Sequence, residues 1–183
     1  MPEPENYYAT YCRLEEASGD SCVVLNANAV IIAAELTVTK QVHVTKRGKE
    51  VPRIFLSRGK EAMGFLPDKV FKQVDGLLDD GWTCRAFASA VVIDKIRNTN
   101  WVEVAIVCYP SKDAPVFEPF VASIADRIAK GDHPAIALSS KELEHVIESG
   151  GQWADVKSQQ LPKLEKGVAY FKTKRTMTVN LAY

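Results

Sequence analysis

Pro67 divides two hydrophobic rhythms, and that division constrains the fold more than any other feature of the chain. Upstream, Leu36, Val38, Val42 and Val44 alternate with polar residues, which is the period of a strand with one buried face. Val51 to Leu56 and Ala62 to Leu66 keep the same extended character. Downstream, Val70, Phe71, Val74, Leu77 and Leu78 recur at helical spacing and make one apolar face. Proline suits the first turn of a helix, where a missing N–H costs nothing. Asp79-Asp80-Gly81 stops the helix, and strand-like runs resume at Trp82 to Ile93 and Trp101 to Tyr109. The polar residues 94–100 join these two as an antiparallel pair.

Turn chemistry arranges the remaining pieces. Lys46-Arg47-Gly48-Lys49 makes a basic turn, since glycine takes positive φ at little cost. Residues 36–56 therefore read as a β-hairpin with a basic tip, and Arg58-Gly59-Lys60 as a second basic turn. Residues 1–22 show weak periodicity and read as an irregular arm, bounded at 1–28, which Tyr7, Tyr8 and Tyr11 could dock. Beyond Pro110, Phe117, Phe120, Val121, Ile124 and Ile128 define a helix near 116–130. Ser139-x-x-Glu142 is a capping box for another helix near 140–149. Residues 167–172 and 176–183 read as terminal strands. The expected fold is α+β: a small, twisted, partly closed antiparallel sheet or barrel with a capping helix, a C-terminal helical segment and terminal strands. The expected units are an arm at 1–28, a barrel-like domain at 29–110 and a subdomain at 111–183 packed on it.

At 183 residues, 46% of them hydrophobic, the chain can build a core without metal or disulfide staples. No apolar run approaches the ~20 residues that span a bilayer. The acidic N-terminus lacks a signal-peptide pattern, so a cytoplasmic location is expected. Cys12, Cys22, Cys84 and Cys108 show no Cys-x-x-Cys spacing and are expected as free thiols. No catalytic motif is present, and no cofactor is expected. Glu142 and His145 could share a helix face, but a solvated helix explains them as well.

Zero net charge conceals segregation. Residues 1–39 carry Arg13 against Glu3, Glu5, Glu15, Glu16, Asp20 and Glu35. Residues 40–60 reverse this, with Lys40, Lys46, Arg47, Lys49, Arg53, Arg58 and Lys60 against Glu50. Residues 157–183 are basic again.

Gly64-Phe65-Leu66-Pro67, then a helix closing on Leu77-Leu78-Asp79-Asp80-Gly81 and a strand, resembles the second half of a HIRAN domain. Specific agreement covers residues 58–83 of a match over about 30–109. The preceding strand, Val51-Pro52-Arg53-Ile54-Phe55-Leu56, departs from the family's Asp-x-Asn-Ala pattern. The resemblance implies a small β-barrel that binds single-stranded DNA ends. Basic turns would attract phosphates and exposed aromatics would stack on bases. A non-catalytic module binding single-stranded DNA or RNA is therefore one expectation. Its candidate contacts are Lys46, Arg47, Lys49, Arg53, Arg58, Lys60, Phe65, Trp82 and Trp101. The alternative is an interaction module that binds a protein partner or itself, through charged zones or a strand edge.

Overall fold

A computed structural model describes residues 5–15, 33–59, 61–94, 99–132 and 152–154. Six antiparallel strands lie in the order β1 (Tyr8–Arg13), β6 (Thr99–Pro110), β5 (Trp82–Asp94), β2 (Glu35–Val44), β3 (Glu50–Arg58) and β4 (Glu61–Phe65). A short strand, β7 (Gln152–Ala154), also pairs with β5. Helix α1 (Asp68–Asp79) follows β4, and α2 (Ala114–Ala129) follows β6 after one 3₁₀ turn at Ser111–Asp113. The fold is α+β, with a sheet that is curled but not closed. The expected helix at 140–149, its capping box, and the strands at 167–172 and 176–183 lie outside the described residues.

Strand β6 is the centre of the structure. Every residue from Val102 to Pro110 is buried, because helices cover both faces of the sheet around it. On one face Val102, Val104, Ile106 and Cys108 join Ile54, Leu56, Ala86 and Ala88 beneath Phe71 and Val74 of α1. On the other, Ala105, Val107 and Tyr109 join Phe87 beneath Phe117, Val121, Ile124 and Ile128 of α2. Of the apolar face expected on α1, Phe71 and Val74 are buried, while Val70, Leu77 and Leu78 pack half-buried at its flank. Pro67 stands just before the first helical residue, and its carbonyl accepts the Phe71 N–H. Arg85 fastens α2 to the sheet by donating to Glu35 of β2 and to Glu118 of α2, the latter at 2.9 Å.

Two departures from the sequence expectation have clear causes. Residues 8–13 are a strand, not an irregular arm. Tyr8 and Cys12 face the α1 side, whereas Tyr7 and Tyr11 pack with the α2 cluster. Apolar residues on both faces erase the alternation that marks a half-buried strand. Cys84 and Cys108 are not free thiols. They are register partners on β5 and β6 with Cα atoms 4.1 Å apart, and their sulfurs are joined as a disulfide. Cys12 is a free, buried thiol, and Cys22 lies outside the described residues.

The sheet curls because its two edges meet at one point. Beyond β1, Leu14 N–H still donates to Val102 of β6, at 2.8 Å. Glu15 then turns outward and exchanges both backbone hydrogen bonds with Phe65 of β4, at 2.8 and 2.9 Å. This approach requires Gly64. Its φ is +145°, and a Cβ there would stand 2.5 Å from the Glu15 carbonyl oxygen and 3.0 Å from Leu14 Cβ. A bulge at Ser89 bends β5, which pairs with β2 before it and with β7 after it.

Gly64→Ala is expected to destabilise the protein by roughly 2–4 kcal/mol in denaturant unfolding, from backbone strain and the enforced separation of the edges. Gly48→Ala, which has open space at φ +77°, should lose only the left-handed preference, about 1 kcal/mol. Equal losses in the two variants would refute the closure role. For the cysteines, alkylation of denatured, unreduced protein should modify Cys12 and spare Cys84 and Cys108 until reductant is added. Modification of Cys84 without reductant would disprove the pairing.

Candidate nucleic-acid interface

The β2–β3 hairpin leaves the body of the sheet early. Among the described residues β2 pairs with β5 at Glu35 and Leu36 and afterwards only with β3. β4 supports β3 from Phe55 onward, so residues 41–44 and 50–53 pair only with each other among the described residues. The outer hairpin is therefore an arm. Val42 and Val44 on it are 63% and 56% exposed. The Thr45–Lys49 turn closes through Thr45, whose carbonyl accepts from Gly48 N–H and whose N–H donates to Lys49.

At the tip Lys46, Arg47 and Lys49 are all exposed, and none joins an ion pair among the described residues. Several cations elsewhere are compensated locally, although Lys69 and Lys112, exposed and apart from each other in sequence, join no ion pair among the described residues. Lys40 pairs with Asp75 at 2.7 Å, Arg127 with Asp132 at 3.1 Å, and Lys130 with Asp126 at 2.7 Å. The hydrogen bond from Lys40 to Asp75 raises the Lys40 pKa, so that cation is committed to holding the arm's base against α1.

Along one face of the arm, Arg53 and Phe65 of the candidate set are joined by His43, which the sequence did not single out. His43 sits 5.1 Å from the Phe65 ring and 6.1 Å from Phe55, measured between centroids. The Arg53 guanidinium lies 5.7 Å from the Phe65 centroid and 5.8 Å from that of Phe71. Odd-numbered strand positions 39, 41 and 43 would have exposed this shared face, because the side-chain period of a strand is two. Phe55 and Phe65 are themselves buried, at 5% and 6% exposure, and serve as the floor under His43 and Arg53.

The candidate contacts do not form one patch. The tip and Arg58 lie at opposite ends of β3, roughly 25 Å apart at a strand's rise per residue. Arg58 is half-buried and has an interaction partner of its own. Trp82 is half-buried against the α1-side core at the start of β5. Lys60 and the side chain of Trp101 lie outside the described residues.

A second polar locus lies inside the sheet, where Glu103 of β6 is flanked in register by Arg13 and Ala90. It is 5% exposed, and burial raises its carboxyl pKa to about 7, with Arg13 opposing the shift. Ser89, in the adjacent bulge, is fully buried and its hydroxyl has no hydrogen-bond partner among the described residues. Burial also pushes the Cys12 thiol up to about 12, so it stays protonated and unreactive. Among the described residues no three His, Cys, Asp or Glu side chains converge on a metal position. No described helix is long and apolar enough to cross a membrane.

Comparison with protein-family models, curated proteins and solved structures finds no match to this chain.

Glu103 makes stability depend on pH. Its folded pKa of about 7 exceeds the ordinary value of 4.5, so the folded state binds the proton more tightly. That contribution is complete below pH 4.5 and is lost as pH rises through about 7. The loss should approach roughly 2–3 kcal/mol. Glu103→Gln should flatten this decline in denaturant midpoints measured between pH 5 and 8. An unchanged profile would show that Glu103 ionises freely in the folded state.

Proposed function

We propose that the protein is a non-catalytic binding module for single-stranded DNA or RNA, with the β2–β3 arm as its contact surface. The observation that carries this reading is the tip, where Lys46, Arg47 and Lys49 project from the body without acidic partners among the described residues. Burying a compensated cation releases little counterion, whereas an uncompensated cluster on an arm is available to phosphates. Arg53 and His43, held by the Phe55–Phe65 floor, extend the track toward the body. The resemblance of residues 58–83 to a HIRAN domain supports the same ligand class.

The arm differs from a base-stacking platform. Its phenylalanines are covered, so His43 is the ring best placed to meet a base. Phosphate contacts then carry most of the affinity, and such contacts position a strand without reading its sequence. Arg58, at the far end of β3, belongs to no common patch with the tip and is not assigned a contact.

Binding of labelled single-stranded oligonucleotides should fall steeply with salt and vary little with sequence. Replacing Lys46, Arg47 and Lys49 together by Glu should abolish most of that binding and flatten its salt dependence. The midpoint of unfolding should move by less than about 1 kcal/mol, because the three side chains are solvated. Wild-type protein that ignores both single-stranded DNA and RNA at low salt would refute the reading.

A further inference from the structure

Beyond Lys40, which is tied to Asp75 of α1, the arm is a two-stranded ribbon open on both faces. Gln41 is exposed on one face, and Val42, Val44 and Pro52 on the other. Residues 46–50 at its end are all exposed. At a strand's rise, residues 41–44 alone reach roughly 13 Å from the body, and the turn adds to that. The turn itself is firmly built. Gly48 N–H donates to the Thr45 carbonyl at 2.8 Å, so Lys46 and Arg47 hold the two central positions and lead the arm. Lys49 N–H donates to the Thr45 hydroxyl at 3.2 Å, and Thr45 N–H to the Lys49 carbonyl at 2.8 Å.

A projecting ribbon of this size has a natural counterpart in a groove. The major groove of B-form DNA is about 12 Å wide and about 8.5 Å deep, and it admits a two-stranded ribbon. The free reach of the arm exceeds that depth, so the tip meets the base edges while α1, anchored at Lys40, stays outside. A groove also has a phosphate wall on each side, whereas a single strand meets only one side of the ribbon. Val44, beside the turn, then faces sugars and thymine methyls instead of water. Glu50 opposes Val44 in register and forms no ion pair with the tip cations among the described residues. Of the three tip cations only Arg47 carries a planar fork of donors, the shape that matches O6 and N7 of guanine.

We propose that the arm enters the major groove of duplex DNA tip-first, with Arg47 reading a guanine and Lys46 and Lys49 holding phosphates on the walls. The proposal rests on the reading of the arm as a nucleic-acid surface and adds a duplex, and a base-reading contact, to it. On a single strand the same three cations meet phosphates alone, which carry no sequence information. In the groove Arg47 becomes the specificity-determining residue. The major groove of an RNA duplex is too deep and narrow for side chains to read, so the added contact is restricted to DNA.

Affinities of the full chain for labelled DNA duplexes, RNA duplexes and single strands of equal length, at one salt concentration, test this. A DNA duplex should bind more tightly than either of its strands and than the RNA duplex. Guanine-containing DNA duplexes should be preferred to all-A·T duplexes by roughly 5- to 100-fold, the worth of one bidentate contact. Replacing guanine by 7-deazaguanine, which lacks N7, should reduce that preference without affecting single strands. Arg47→Ala should abolish the preference, whereas Lys46→Ala and Lys49→Ala should weaken every duplex equally. A DNA duplex bound no more tightly than its strands would overturn the proposal and leave the single-strand reading standing. A guanine preference that is absent, or that survives Arg47→Ala or 7-deazaguanine, would also overturn it. Duplex binding with the expected guanine preference, beside strands that are ignored, would support it and refute the single-strand reading. Binding to none of the four would refute both.

Discussion

The chain at Glu15 passes so close over Gly64 that no side chain fits between them, and the curl of the sheet depends on this contact. A Cβ at Gly64 would meet the Glu15 carbonyl at 2.5 Å. Its absence lets Glu15 and Phe65 exchange backbone hydrogen bonds, which joins the last strand of the order to the first. The contact also positions helix α1. Leu66 N–H donates to Ile54 at 2.9 Å, and Pro67 opens the helix directly afterwards. The helix is thereby delivered onto the face that carries Ile54, Leu56 and Val104. The basic arm is one consequence, since a sheet tethered at one point leaves another margin to diverge.

Burial on both faces of β6 explains several features at once. It accounts for the long apolar run from Val102 to Tyr109, and it makes Glu103 an exception whose carboxyl pKa burial raises to about 7. It also places Cys108 in the α1-side core, opposite Cys84. A covalent link between β5 and β6 therefore reinforces the pair that β1, β2 and β7 extend and that both helices cover.

Electrostatics separates the surface into committed and uncommitted charge. Arg85 binds Glu35 and Glu118 and so couples β2, β5 and α2. Lys40 is tied to Asp75. The arm's tip cations lack such partners among the described residues, so the net charge conceals a local cluster. A neutral total is compatible with a local cluster whose field is not cancelled within a Debye length.

Local order was legible in the residues themselves. The hairpin at 36–56, the helix after Pro67, its end at Gly81 and the α2 helix follow from periodicity and from Pro and Gly, whose effects act within a few positions. The basic tip was legible for the same reason. Pairing between distant segments was not. That Tyr8–Arg13 is a strand, that Cys84 meets Cys108, and that Phe65 is covered depend on partners far away in sequence. The two basic turns are twelve residues apart, counting from Arg58 back to Lys46, yet the straight run of β3 separates them. An extended strand converts sequence distance into spatial distance almost completely, whereas a turn collapses it. Tertiary structure alone decided which charges could act together.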